Sequence, residues 1–198
     1  MIHYAPDGEK HIADVKTRHG LVIEFQHSFL TKQERALREA FYRNMVWVVD
    51  GTRRKRDSKR FFDSIALWWR IGKRVFLASS VEEGLPKEWL DSCVPVYFDF
   101  GDVPIASPVL WCLLPKRVYG SAVVVAVQRA AVIDAYRNGR QVFDADKLIR
   151  DIEEGLRRRA YAAHAAYVLQ QRSRPNCITG NDIGLTTGVS DRHGSRQL

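Results

Sequence analysis

The clearest pattern in the chain is LVIEFQ, residues 21–26, where apolar and polar positions alternate. Leu21, Ile23 and Phe25 fall on one face, Val22, Glu24 and Gln26 on the other. A period of two predicts a strand over Leu21–His27. Upstream, Met1–Tyr4 reads as a strand end, Pro6-Asp7-Gly8 as a turn and Lys10–Thr17 as a second strand. A turn at His19-Gly20 then closes a three-stranded antiparallel meander. After it the period changes. Thr31 with Glu34 three positions on forms a capping box, which predicts a helix over Lys32–Arg43 with the apolar stripe Ala36, Leu37, Ala40 and Phe41. Arg35, Arg38 and Tyr42 share a second, polar face of that helix. Met45–Val49 is an apolar run ending in Asp50-Gly51, as a buried strand should.

Phe61, Phe62, Ile65, Trp68 and Trp69 recur at three- and four-residue steps, predicting an amphipathic helix from about Asp57. Arg74–Ala78 is a short strand candidate, and Pro86–Trp89 a helical turn. Three more strands follow at Pro95–Phe100, Val109–Leu114 and Ala122–Val127, separated by Gly and Pro. A short helix over Gln128–Asn138 stops at Asn138-Gly139. Asp144 then caps a longer basic helix running to about Gln171, with Leu148, Ile152, Leu156, Ala160, Ala163 and Tyr167 on one face. From Ser173 to Leu198 no period survives, and the composition predicts disorder. The expected organisation is an α/β domain over 1–143, a basic helix over 144–172 and a tail over 173–198.

Composition adds two constraints. The formal charge of +8 over 198 residues favours an anionic partner, with nucleic acid first. Cys93, Cys112 and Cys177 are odd in number and lack any C-x-x-C pairing, which argues against a disulfide framework or a structural zinc and for a reducing, cytoplasmic setting with buried thiols. No apolar run approaches the roughly 20 residues of a membrane span, so no membrane partner is expected. The basic stretch Arg53, Arg54, Lys55, Arg56, Lys59 and Arg60 reads either as a phosphate-contacting segment or as a solvated loop. Arg38 and Tyr42 carry the same two readings. The tryptophans read mostly as core residues, though one exposed indole could stack on a base.

The hairpin is where chemistry would gather. Folding Lys10–Thr17 back on Leu21–His27 brings Asp14, Glu24 and Gln26 towards one edge. Two carboxylates are what Mg²⁺ or Mn²⁺ asks of a protein, and a bound metal would polarise a phosphodiester and acidify the attacking water. Gln26 would orient that water or touch a phosphate oxygen. The bland alternative is an ordinary hairpin with polar residues facing water.

Taken together, Asp14, Glu24-x-Gln26, His27-Ser28, the helix carrying Arg38 and Tyr42, and the VWVVDG strand resemble the competence protein CoiA-like family. The resemblance runs from about Tyr4 to Arg56, continues more weakly at PVYFDFG and LWCLLP, and ends by about Gly139. It implies a restriction-endonuclease-like, PD-(D/E)XK fold, with Asp14, Glu24 and Gln26 as the catalytic trio and glutamine in the lysine position. It also implies a magnesium-dependent nuclease acting on DNA. The alternatives are a catalytically degenerate nucleic-acid-binding accessory protein and a structural remnant of a longer one. Relatives carry a helix before the hairpin, and this chain begins after that point. The helix starting near Asp144 is expected to pack where the missing one would lie.

Overall fold

The computed structural model describes residues 2–4, 10–101 and 108–172. Strands β1 (Ile2–Tyr4) and β2 (Lys10–Ile12) pair antiparallel as a separate two-stranded sheet. The main sheet begins with β3 (Val15–Lys16) and β4 (Val22–Gln26). Helix α1 (Lys32–Phe41) leads to β5 (Met45–Asp50), and α2 (Lys55–Ile65) to β6 (Trp69–Arg70) and β7 (Val75–Ala78). A short helix, α3 (Val81–Gly84), and a 3₁₀ turn at Lys87–Trp89 precede β8 (Val96–Asp99). The chain continues through β9 (Val109–Val118), β10 (Ser121–Gln128), α4 (Arg129–Arg137) and α5 (Ala145–Arg172). The main sheet has eight strands in the order β3-β4-β5-β8-β9-β10-β7-β6. Within it, β4, β5 and β8 run parallel and every other pairing is antiparallel. The fold is therefore mixed α/β, with a mostly antiparallel sheet.

The strand expected over Lys10–Thr17 is broken in two at Ala13-Asp14, so the three-stranded meander does not form as one piece. Ala13 is buried, and Asp14 spends its Oδ2 on the backbone N–H of Phe25 at 2.8 Å. A side chain thus replaces a ladder bond on the outer edge of β4. The central strands are covered on both faces, as parallel strands require. Trp47, Val49, Phe98 and Trp111 enter a first layer with Phe61 of α2 and Val81 of α3. Val46, Tyr97, Cys112 and Val125 enter a second with Val132 of α4 and with Ile149 and Ile152 of α5.

Helix α1 has the expected capping box at Thr31 and Glu34 but is rotated from its expected face. It buries Arg35 and Glu39, while Ala36, Leu37 and Ala40 lie exposed. The cause is a dense set of donors. Glu39 Oε1 accepts from Arg35 Nη1 at 2.7 Å, Trp47 Nε1 at 3.1 Å and Ser92 Oγ at 2.7 Å. Its Oε2 accepts from the Cys93 N–H at 3.0 Å and from Cys93 Sγ at 3.1 Å. Cys93 is exposed, contrary to the expectation of a buried thiol, Cys112 is buried, and Cys177 lies outside the described residues.

Helix α2 ends at Ile65, four residues short of the expected limit, because Trp69 enters β6 opposite Leu77. Strand β9 runs past Leu114 and through Pro115 to a two-residue turn at Tyr119-Gly120. Asp144 caps α5 by accepting the Lys147 N–H at 2.8 Å. The helix packs through Ile149 and Ile152 on the second layer, with Lys116 bonded to Asp146 at 2.7 Å. Glu24 projects with Val22 towards the first layer. Helix α5 therefore packs on the sheet, on the face opposite the one that carries Glu24. Ala160, Ala163 and Tyr167 of its expected apolar face are exposed. By its internal contacts the chain divides into a first unit, Met1–Arg158, and a second, Arg159–Leu198, whose described part is the end of α5. The tail over 173–198 lies outside the described residues. No helix among the described residues is long and apolar enough to cross a membrane.

Candidate metal and nucleic-acid site

Strand β4 alternates as its sequence dictates, and the polar positions are the buried ones. Glu24 is 1% exposed and Gln26 9%. Val15 pairs with Ile23, so continuing that register by one residue sets Asp14 opposite Glu24. Arg38, on the last turn of α1, donates Nη1 to Glu24 Oε2 at 2.9 Å. The other carboxylate oxygen, Oε1, is buried with no hydrogen-bond partner. Burial raises the Glu24 pKa above the usual carboxylate range, and the charge of Asp14 pushes it further. The charge and hydrogen bond of Arg38, together with the backbone amide of Asp14, pull in the opposite direction. Asp14 itself is exposed. The site is thus a solvent-facing carboxylate beside a buried one, with half of the buried group left unsatisfied.

The third expected member behaves differently. Gln26 shares the face of Glu24, but its Nε2 donates to Ser28 O and Ser28 Oγ, both at 3.0 Å. The amide nitrogen is spent on holding the turn between β4 and α1. Tyr42 is 7% exposed and lies edge-on to Phe41, so it is part of the core and offers no phosphate-binding surface. Burial and the nearby Glu24 raise its phenol pKa, against the charge of Arg38. Arg53 and Arg54 both approach Glu88 Oε1, at 3.8 and 3.4 Å. Lys55 and Arg56, at the start of α2, are exposed, and no described residue pairs with them.

A second group of acids escaped the reading of the sequence. Asp50 and Asp99 end the adjacent parallel strands β5 and β8 in register. Asp50 Oδ1 accepts from Thr52 N at 2.8 Å and Thr52 Oγ1 at 2.6 Å, and its Oδ2 lies 3.1 Å from His27 Nδ1. Burial raises the Asp50 pKa, but the Thr52 and His27 contacts outweigh it and the net shift is down. Asp99 Oδ1 accepts from Gly101 N at 2.9 Å and Arg129 Nη2 at 2.6 Å. The carboxyl ends of parallel strands are where α/β sheets place ligands. Here the bonds to Thr52 and Gly101 cap the turns that follow the strands, and the sequence signal is the repeat of Asp with a glycine one or two residues later.

Among the described residues no three His, Cys, Asp or Glu side chains come together as a metal-binding group. A cation at Glu24 would rest on two carboxylates with waters completing its shell, which suits Mg²⁺ better than a metal that needs a full protein cage. The orphaned Oε1 of Glu24 and the repulsion from Asp14 fit such a cation. Comparison with protein-family models, curated proteins and solved structures gives no match.

Proposed function

We propose that this protein is a metal-dependent nuclease-like protein acting on DNA phosphodiester bonds, with Asp14 and Glu24 as ligands of Mg²⁺ or Mn²⁺. The observation that carries the reading is the buried Glu24 carboxylate, which has one oxygen without a partner and a second acid beside it. Evolution rarely leaves a buried acceptor unsatisfied without a use for it. The run β3, β4, α1, β5 (hairpin, crossover helix, parallel strand) supports a restriction-endonuclease-like core, the fold that the CoiA-like resemblance implies. A bound divalent ion would polarise a phosphate oxygen and acidify an attacking water. Asp14 carries negative charge to the solvent edge, and Glu24 anchors it from inside. Gln26, its nitrogen engaged by Ser28, has only its carbonyl oxygen to offer as acceptor to a water proton. Lys55 and Arg56, exposed and unpaired among the described residues, would offer cations to the DNA backbone.

The second reading is a nucleic-acid-binding protein that no longer cleaves. It is favoured by Arg38, which already compensates Glu24, and by the tethered Gln26. Incubation of DNA with Mg²⁺ or Mn²⁺ separates the two. Cleavage that requires the metal and disappears in Asp14→Ala and Glu24→Ala supports the nuclease. Cleavage unchanged in both variants refutes the assignment of the site. Binding without cleavage, weakening steeply with salt, selects the second reading.

A further inference from the structure

We propose that Arg38 is an exchangeable counter-ion, holding the place of the divalent cation on Glu24 and turning to substrate phosphate when the cation arrives. The inference rests on the metal-site reading above and adds a coupling between metal loading and anion binding. A carboxylate as buried as Glu24 needs positive charge beside it in the folded protein. Arg38 supplies that charge through a single bond from Nη1, and Oε1 receives nothing. A guanidinium has five N–H donors, so one bond leaves most of its fork unused.

Arg35, one turn away on the same helix, is the contrast. Its side chain is 3% exposed and held by both Glu39 and Asp91. The Arg38 side chain is 39% exposed. It can therefore leave Glu24 for solvent by rotation about its own side chain, with α1 intact. The two arginines share a helix but not a role.

Charge sets the direction of the exchange. Asp14, Glu24 and Arg38 together carry a net −1, which repels phosphate. A divalent ion on the two carboxylates brings the sum to +1, repels the guanidinium and attracts a phosphodiester. Arg38, displaced but tethered to α1, is then the nearest free fork for a phosphate oxygen, a geometry that arginine recognises well. Metal binding would convert an anion-repelling site into an anion-binding one.

The test uses the full chain and titrates Mn²⁺ by calorimetry and by thermal shift, then a short single-stranded oligodeoxynucleotide with and without Mn²⁺. Arg38→Gln should bind Mn²⁺ roughly tenfold more tightly than wild type, because a competing positive charge is gone. Its melting temperature should be lower without metal and rise further on adding Mn²⁺. The Mn²⁺-dependent gain in oligonucleotide affinity, present in wild type, should be lost. Arg38→Lys, which keeps the charge but not the fork, should retain Mn²⁺ affinity near wild type and lose most of the oligonucleotide gain. Its behaviour decides the question if Arg38→Gln does not fold. Mn²⁺ binding that Glu24→Gln abolishes but Arg38→Gln leaves unchanged overturns the exchange and leaves the metal site standing. So does an unimpaired oligonucleotide gain in Arg38→Lys. Absence of Mn²⁺ binding in wild type and Arg38→Gln alike, or binding indifferent to Glu24→Gln, overturns the metal site itself.

Discussion

Glu24 and Glu39 are both buried carboxylates paired with an arginine of α1, and they differ in how fully their oxygens are satisfied. Glu39 takes five hydrogen bonds, from Arg35, Trp47, Ser92 and twice from Cys93. Glu24 takes one from a side chain and leaves an oxygen empty. Both oxygens of Glu39 are satisfied, whereas Glu24 Oε1, like Nε of Arg35 beside Glu39, is buried without a hydrogen-bond partner, and a buried polar group left so in a native protein calls for an explanation. Glu39→Ala should therefore act on stability: Arg35 would be left buried with its inner partner gone, at a cost of about 3–5 kcal/mol. Urea unfolding of the variant measures this directly, and a loss below about 1 kcal/mol would mean that Asp91 alone satisfies Arg35. Little of this pairing was legible in the sequence. Arg35 and Glu39 stand four apart, the spacing of an ordinary solvated pair. What buries them is Trp47, Ser92 and Cys93, and no local pattern connects those positions to the helix.

Elements whose cause is local were read well. The capping box at Thr31 and Glu34, the alternation of Val22–Gln26 and the cap at Asp144 each use residues within a few positions of one another. Elements bounded by distant partners were read less well. The end of α2 is decided by the pairing of Trp69 with Leu77, and the split at Asp14 by the N–H of Phe25. The turn joining β9 and β10 is a further case. Tyr119 has φ +47° and Gly120 φ +82°, so both central residues are left-handed, as a tight hairpin turn of this twist demands. Tyrosine suits that conformation poorly, and asparagine tolerates it. Tyr119→Asn should stabilise the protein by about 0.5–1 kcal/mol, since the tyrosine hydroxyl contributes only a 3.5 Å contact to Glu153 O. A melting temperature unchanged or lowered would assign Tyr119 a packing role that its exposure does not suggest.

For the whole molecule, the helix-then-strand order made a mixed α/β fold legible. The assembly of eight strands was not, because β6 and β7 join beyond β10 through pairings made across some fifty residues of chain. The charge of +8 was legible too, but not its distribution. Of the four consecutive cations Arg53, Arg54, Lys55 and Arg56, the first two face Glu88 and the last two face solvent alone. Polyanion binding should distinguish them, because only a cation that displaces counter-ions from phosphate contributes to the salt dependence. If this stretch holds duplex DNA, each phosphate contact adds about 0.9 to the slope of log affinity against log salt. The double variant Lys55→Gln, Arg56→Gln should then flatten the slope by about 1.8, and Arg53→Gln, Arg54→Gln by clearly less, since Glu88 offsets part of their charge. Fluorescence anisotropy of a labelled duplex, titrated over a series of salt concentrations, yields both slopes. Equal flattening by the two double variants would show that Glu88 releases its arginines on binding. Slopes unchanged in both would identify the basic stretch as solvated surface.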